Sequence, residues 1–253
     1  MGLIKTQAEI AGIRDACRIA HDVLVYLGSL VRPGLTTGEL DRAADDAIRK
    51  RGARSAFLGY RDFPGQTCIS VNDEVVHGIG GLRRLQFGDI VSLDVGVLFR
   101  GFVGDTAATY PVGGCDPAAQ QLMDVTREAL RLGIAAARGG NVVADISRAV
   151  QQYVEAAGFS VVREFVGHGV GRSVHEEPQV PNFVEGRGRS PRLQPGMTIA
   201  IEPMVNAGRR EVRVLNDGWT VVTADGKLSA HFEHTILVTA GEPEILTCPE
   251  RTP

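Results

Sequence analysis

Two helix pairs, each followed by strand-like segments, are the feature of this sequence that most limits its fold. Apolar side chains recur at three- and four-residue steps in each predicted helix, as on the buried face of an amphipathic helix. After each pair the apolar period shortens to about two residues, the period of a strand. Helices followed by strands, without alternating βαβ units, predict an α+β fold with an antiparallel sheet and helices on one face. The predicted helices cover residues 7–31, 39–51, 117–137 and 144–157.

The two helix pairs also resemble each other in sequence, which indicates a weak internal duplication. At an offset of 106 residues, Arg32, Gly34, Arg42, Ala43 and Gly52 correspond to Arg138, Gly140, Arg148, Ala149 and Gly158. No Pro/Gly/Ser-rich linker separates the halves, so we expect one catalytic domain over residues 1–253. The predicted strands cover residues 67–71, 89–99, 105–112, 197–205, 213–222 and 231–238.

Charge and cysteine content exclude several classes of protein. A net charge of -3 gives no global basic field, so DNA is not favoured as a partner, and a peptide or small molecule is. The four cysteines form no CxxC pair, which argues against a zinc finger and for a reduced, cytoplasmic protein. The sequence contains neither a signal-like apolar run nor a membrane-span candidate, so we expect no membrane partner.

Two aspartates interrupt apolar strands of this sequence. Asp94 lies at the centre of Ile-Val-Ser-Leu-Asp-Val-Gly-Val, where an ionised carboxylate without a partner is costly. Asp105 follows eleven residues later, after the turn-forming Arg100-Gly101, so a hairpin can place both acids on one face. Two neighbouring carboxylates repel unless they share a proton or a cation. For either acid alone, a buried arginine or backbone donors would be the ordinary explanation.

Glu202 and Glu233 interrupt two later strands in the same way, and His168 lies between glycines that would let a ligand approach the backbone. Four carboxylates and one imidazole suit a pair of divalent cations such as Mn, Fe, Co or Zn, with the identity left open. A zincin is excluded because His175-Glu176-Glu177-Pro178 lacks the second histidine of HExxH. The set therefore predicts a buried two-metal site.

Five strings of this chain resemble type I methionine aminopeptidases of the short bacterial form. They are VNDEVVHGI (71–79), DVGVLFRGFVGDTAATY (94–110), GHGVGRSVHEEPQVP (167–181), IEPMVNAG (201–208), and DGWTV with FEHTILVT (217–221, 232–239). The resemblance implies the pita-bread fold, a pseudo-twofold α+β domain. It also implies that five residues bind the metals, with Asp105 and Glu233 bridging: Asp94, Asp105, His168, Glu202 and Glu233.

The resemblance assigns further roles within the site. Glu202 would be the general base and then acid, and His77 and His175 would contact the substrate, although for either histidine alone an ordinary polar contact is the alternative. A methionine pocket maps onto Tyr60, Phe63, Cys68, Trp219 and Phe57, with Val174 nearby. Many bacterial relatives have Cys, Tyr and Phe where this chain has Phe57, Phe63 and Val174, so the dimensions of the pocket are left open.

The activity implied is removal of the initiator methionine from nascent or newly made proteins, with a small second residue preferred, by a monomer. The 26 residues between His175 and Glu202 favour type I, because type II enzymes carry a helical insertion there. The arginine-bearing segment Glu185 to Pro195 is an ordinary surface loop or, less simply, a transient ribosome contact. Two alternatives stay open: cleavage of Xaa-Pro bonds by the same fold, and a catalytically silent binding module.

Overall fold

A nine-stranded antiparallel sheet is the largest sheet of the computed structural model, which describes residues 2–184, 186 and 190–248. The described part of the chain also contains two three-stranded sheets, four α-helices and a short 3-10 helix at Tyr60–Asp62. The helices are α1 (Gln7–Leu30), α2 (Thr37–Lys50), α3 (Pro117–Ala136) and α4 (Val143–Ala156). The strands are β1 (Arg54–Ser55), β2 (Cys68–Val71), β3 (Glu74–Val76), β4 (Ile90–Phe99), β5 (Phe102–Pro111), β6 (Ser160–Val161), β7 (Gly167–Gly169), β8 (Glu176–Val180), β9 (Thr198–Ile201), β10 (Met204–Asn206), β11 (Val212–Val214), β12 (Val221–Thr223), β13 (Ser229–His231), β14 (Glu233–Leu237) and β15 (Glu244–Ile245).

Strands from both halves of the chain share the large sheet. Its order is β1, β4, β5, β14, β9, β7 and β8, with β2 also paired to β4 and β15 to β14. One small sheet has the order β13, β10, β6, and the other has the order β11, β12, β3. The two halves meet where β5 pairs with β14, through Glu233 opposite Ala107 and His234 opposite Thr106. The predicted α+β class is therefore confirmed.

The helix pairs follow the predicted repeat. Both ends of α4 lie 106 residues after the corresponding ends of α2. Thr36 caps α2: its hydroxyl accepts from the backbone N–H of Glu39, whose carboxylate accepts from the backbone N–H of Thr36. This reciprocal capping box supplies acceptors for two N–H groups that a helix start leaves unpaired. Thr36 is thus the N-cap, and Thr37 is the first helical residue.

The helices cover the large sheet with an apolar core between them. α1 packs on β4 and β5, and α3 contacts β9 and β14. α2 packs on α1, and α4 packs on α3. The backbones of helix and sheet approach closely at Gly104, where an added Cβ would lie 2.4 Å from the backbone nitrogen of Cys17. Only a residue without a side chain lets α1 lie this close to β5.

Three predicted strands are wrong in one respect, because each is interrupted. Residues 197–205 form β9 and β10, which separate at Glu202-Pro203, since Pro203 has no N–H to donate to a ladder. Residues 231–238 belong to β13 and β14, which separate at Phe232. Residues 213–222 are likewise divided between β11 and β12, around a turn in which Asp217 accepts from two backbone N–H groups. The strand predicted from residue 105 begins earlier, at Phe102.

Two further expectations concern surface and membrane. Arg187 and Arg189 of the segment Glu185 to Pro195 lie outside the described residues, whereas Arg192 donates a hydrogen bond to the carbonyl of Gly140. Within the described ranges, every helix is too short or too polar to cross a membrane.

Candidate active site

A cavity of about 280 Å³ collects nearly all of the predicted site residues. A larger, more open recess of about 670 Å³ lies on the other side of Tyr60 and Val174, but it contains none of the predicted acids or histidines. We therefore place the site in the smaller cavity. Its lining includes Phe57, Tyr60, Phe63, His77, Asp94, Asp105, His168, Val174, His175, Glu202, Trp219 and Glu233.

The two aspartates lie on neighbouring strands of one hairpin, as predicted. In the β4–β5 ladder Asp94 is opposite Ala107, and Asp105 is opposite Gly96. Residues two apart on a strand share a face, so both carboxylates point to the same side of the sheet. Ladder hydrogen bonds on both strands fix this arrangement.

The other ligand candidates come from the second half of the chain. Glu202 directly follows β9, and its backbone carbonyl accepts a hydrogen bond of 2.9 Å from the Asn182 side chain. Glu233 begins β14, and its backbone carbonyl accepts from the Thr106 hydroxyl at 2.8 Å. These contacts hold both glutamates at places where a strand ends or begins.

His168 lies in β7. Glycine is needed on either side of it for a reason other than the one predicted. An added Cβ would lie 2.4 Å from the carbonyl oxygen of Ala200 at Gly167, and 2.2 Å from that of Glu177 at Gly169. The backbone that approaches is the protein's own, because β7 is held between β8 and β9. The prediction that these glycines make room for a ligand is therefore wrong.

Polar atoms of the ligand candidates converge at the floor of the cavity. Asp105, His168 and Glu233 each offer an atom within 4.8 Å of the others. The Nε2 atom of His168 lies 3.3 Å from Oε1 of Glu202 and 3.9 Å from Oδ2 of Asp105. The Nδ1 atom of His168 is 3.0 Å from the carbonyl of Gly169, an arrangement that assigns the proton to Nδ1 and leaves Nε2 free to bind a cation.

Burial makes these carboxylates hard to ionise. It raises the pKa of Asp94 to about 7. It also raises the pKa values of Asp105, Glu202 and Glu233 well above the ordinary range, and repulsion between the acids adds to the effect. Burial lowers the pKa of His168 to about 3, so this imidazole is neutral at pH 7.

The donor set fits divalent cations. Oxygen atoms of Asp94, Asp105 and Glu233 are buried without any hydrogen-bond partner among the described residues. In the same part of the chain, the ion-pair contacts of these acids and of Glu202 are all to histidines. The alternative of a buried arginine is thus excluded there, and cations that coordinate carboxylate oxygen and imidazole nitrogen would satisfy the unpaired atoms.

His77 and His175 lie at the wall and mouth of the cavity. Burial lowers the pKa of both, that of His77 to about 4, so each is neutral at pH 7. His175 has its Nδ1 atom 3.0 Å from the hydroxyl of Tyr60. The backbone of His77 has φ 60, a left-handed conformation that costs a residue with a side chain roughly 1–3 kcal/mol. Strain of this kind is frequent where a side chain must be aimed at a site.

An apolar wall faces the acids. Phe63 and Trp219 meet edge to face with ring centroids 5.1 Å apart. The Phe57 ring occupies the space that a side chain at Gly96 would need, since a Cβ there would lie 2.3 Å from it. Cys68 belongs to the same apolar cluster but is not among the residues that line the cavity; it lies opposite Asp94 in the β2–β4 ladder.

Sequence reasoning missed several residues of this cavity, including His231, Met204 and Phe165. A signal was present for His231, because it precedes Glu233 by two residues in a strand-like segment and alternation places both on one face. Met204 carried no such signal, since the strand break at Pro203 obscures its register.

Comparisons with known proteins agree with the geometry. The chain matches the model of metallopeptidase family M24 over residues 11–240. It is 53% identical to a methionine aminopeptidase of Clostridium perfringens, covering 98% of this chain and 99% of the relative, and 49% identical to methionine aminopeptidase 1 of Bacillus subtilis, with the same coverage. The crystal structure of methionine aminopeptidase from Thermotoga maritima superposes with a TM-score of 0.94 at 44% identity, covering 98% and 99%.

These matches confirm the pita-bread fold and the dependence on divalent metal ions. They therefore argue against the alternative of a catalytically silent binding module. The chain belongs to metallopeptidase family M24 and, within it, to the bacterial type I methionine aminopeptidases.

Proposed function

We propose that this enzyme removes the initiator methionine from newly made cytoplasmic proteins and that it prefers a small second residue. The observation that carries the proposal is a group of four acids facing an apolar wall across one small cavity, three of them with a buried oxygen that has no hydrogen-bond partner among the described residues. Acids whose ion-pair contacts among the described residues are to histidines alone indicate a metal-dependent hydrolase, and an apolar wall suits the methionine side chain.

Asp94, Asp105, His168, Glu202 and Glu233 would hold two divalent cations. Cations bound there supply positive charge that acidifies water and polarises a peptide carbonyl. Cation binding also changes the state of the acids: with their charge compensated, the carboxylates can be ionised together at neutral pH despite burial.

Glu202 is our candidate for the general base and acid. Its carboxylate lines the cavity, and its Oε1 oxygen lies 3.3 Å from Nε2 of His168. It would take a proton from the attacking water and return it to the amine that leaves, so no covalent intermediate forms. A side chain that accepts and then donates one proton works best when its position is fixed. The hydrogen bond from the Asn182 side chain to the backbone carbonyl of Glu202 helps to fix it.

His77 and His175 would bind the peptide bond that is cut. As neutral imidazoles, each can donate one hydrogen bond without repelling a positively charged chain end. His175, whose Nδ1 faces the Tyr60 hydroxyl, would donate from Nε2 to the carbonyl oxygen as negative charge develops on it. His77 would interact with the amide nitrogen of the second residue.

The apolar wall would hold the methionine side chain. Phe57, Phe63 and Trp219 offer ring faces and edges, and Val174 closes one side. A thioether contacts such rings favourably. A long or charged second residue would have to fit between the two histidines, which is our reason for expecting a small one.

The test uses full-length protein stripped of metal and then supplied with Mn(II), Fe(II) or Co(II), with Met-Ala-Ser, Met-Lys-Ser and Ala-Pro-Ala as substrates. We expect metal-dependent release of methionine from Met-Ala-Ser, much less from Met-Lys-Ser, and no cleavage of Ala-Pro-Ala. Equal rates on the first two peptides would refute the second-residue preference, and cleavage of Ala-Pro-Ala would favour an Xaa-Pro peptidase.

Nascent chains are the expected partners, and contact with the ribosome through the segment Glu185 to Pro195 stays a prediction. Cosedimentation with ribosomes at low and high salt tests it, since a contact made by arginines weakens as salt rises. We also expect a monomer, which light scattering on a sizing column would verify.

A further inference from the structure

A fully buried imidazole that none of the roles above uses lies beside Glu202. His231 is 1% exposed and lines the cavity. Its Nε2 atom has no hydrogen-bond partner among the described residues. Leaving such an atom unpaired costs free energy, so a buried imidazole kept in a site is expected to find a partner there.

The backbone of His231 is held firmly. Its N–H donates to the hydroxyl of Thr109, and its carbonyl accepts from the same hydroxyl, both at 2.9 Å. β13 also pairs with β10, where His231 is opposite Met204. The backbone is fixed on both sides and the ring lines the cavity, so the positions open to its Nε2 atom are restricted.

Glu202 lies between two imidazoles. Its Oε1 oxygen is 3.3 Å from Nε2 of His168, and its Oε2 oxygen is 3.8 Å from Nε2 of His231. His168 is a candidate metal ligand, so its Nε2 would bind the cation. His231 is left as the neighbour of the other oxygen, at a distance about 1 Å longer than an ordinary N–H···O hydrogen bond.

We propose that His231 is a positioning residue. In the metal-loaded enzyme the two side chains would approach by about 1 Å, so that Nε2–H of His231 donates to Oε2 of Glu202 and holds that carboxylate in the orientation needed for proton transfer. The inference rests on the proposed role of Glu202 as general base. A donor on one oxygen leaves the other face of the carboxylate for the reacting water. The proton on Nε2 stays with His231 throughout, because the imidazole orients and does not exchange.

Two variants test this with the metal-loaded enzyme and Met-Ala-Ser. His231→Leu removes the donor at similar volume, and His231→Gln keeps a side-chain N–H. We expect kcat of the Leu variant to fall at least tenfold with KM within about twofold, while the Gln variant keeps at least half of the wild-type kcat. A Leu variant within twofold of wild type, or equal losses in both variants, would overturn the proposal.

A spectroscopic measurement decides the matter even if the Leu variant does not fold. In zinc-loaded, ¹⁵N-histidine-labelled wild-type protein, we expect the signal that His231→Gln lacks to report a neutral ring protonated on Nε2, and this signal to move in Glu202→Leu. A ring protonated on Nδ1 contradicts the proposal. Failure of the proposed function itself would look different, because Glu202→Gln would then retain turnover.

Discussion

The four acids of the site come two from each half of the chain, and the halves hold them differently. Asp94 and Asp105 lie inside β4 and β5, which pair along the whole length of β4. Glu202 and Glu233 lie where strands end and begin, beside the breaks that separate β9 from β10 and β13 from β14. One pair of acids lies within a continuous ladder. In the other pair, Glu202 follows the end of β9, and Glu233 pairs with Ala107 at the first position of β14.

This difference has a physical consequence for function. A carboxylate inside a ladder is held by many backbone hydrogen bonds and serves well as a rigid ligand. A carboxylate at a strand break depends on a few side-chain contacts, such as Asn182 to the Glu202 backbone, and can be oriented by them. The first half would thus supply fixed ligands, and the second half would supply the group that moves a proton.

The largest expected effect tests whether the second half carries the proton transfer. Glu202→Gln keeps the shape of the side chain but cannot accept the proton, so we expect kcat to fall about a thousandfold with KM changed little. Steady-state kinetics on Met-Ala-Ser measures this. Glu211→Gln, at an exposed position of the same half, is the control and should keep wild-type activity. Full activity in Glu202→Gln would remove the proposed base.

The next effect tests the rigidity of the first half. In Gly104→Ala the new methyl group would meet the α1 backbone at Cys17, 2.4 Å away, and backbone cannot rotate aside. Overpacking of this kind should lower the free energy of unfolding by about 3 kcal/mol. Urea denaturation measures the change. Gly241→Ala, where nothing lies within 4 Å of the added Cβ, should change stability little. Equal stability of the two variants would mean that the helix is free to shift.

A smaller effect concerns the buried ion pair between Lys5 and Glu176, which links the two halves. Lys5 is almost fully buried and donates at 2.8 Å to Glu176, next to His175. Glu176 is also partly buried, which alone would raise its pKa, but hydrogen bonds from Lys5 and from the backbone N–H groups of Arg172 and Ser173 lower it on balance. In Lys5→Met, loss of this charged hydrogen bond should reduce stability at pH 7 by about 2 kcal/mol.

The sign of the pH dependence follows from the lowered pKa. A carboxyl whose pKa is lower in the folded protein stabilises it above the unfolded pKa and loses that contribution as pH falls through the folded pKa. The stability gap between wild type and Lys5→Met should therefore be constant above about pH 5 and shrink below the ordinary pKa of 4.5. Lys50→Met, at an exposed site, is the control. A gap that widens with acid would contradict the assignment.

The smallest expected effect is a loss of stability when a helix start loses its cap, and it differs between the related helices α2 and α4. α2 has its own capping box, whereas the backbone N–H of Ala144 in α4 donates to Ser190, a residue distant in sequence. Thr36→Ala should cost about 1 kcal/mol of stability by removing a local cap. Ser190→Ala should cost less, because α4 keeps a local cap in which the backbone N–H of Val142 donates to the carboxylate of Asp145. Thermal unfolding of both variants tests the order, and a larger loss for Ser190→Ala would reverse it.

Much of the fold was predictable from short-range patterns. Helix spacing located all four helices to within about two residues, because an amphipathic period of 3.6 survives whatever the helix packs against. The repeat between α2 and α4 was visible for the same reason. The short strands β7 and β8 were not predicted, since their residues follow no alternation and their pairing partners lie elsewhere in the chain.

The sequence by itself determined the helices and the α+β class, and it indicated the candidate metal-binding acids, since acids inside apolar segments require compensation wherever they occur. Only the tertiary structure decided where the long segments break, that His231 lies beside Glu202, and that the glycines around His168 make room for neighbouring strands. These outcomes depend on hydrogen bonds and contacts between residues far apart in the chain. Local composition and periodicity do not indicate which strand a segment will pair with. The surroundings of Glu202 and His168 are therefore known only from the folded structure of both halves.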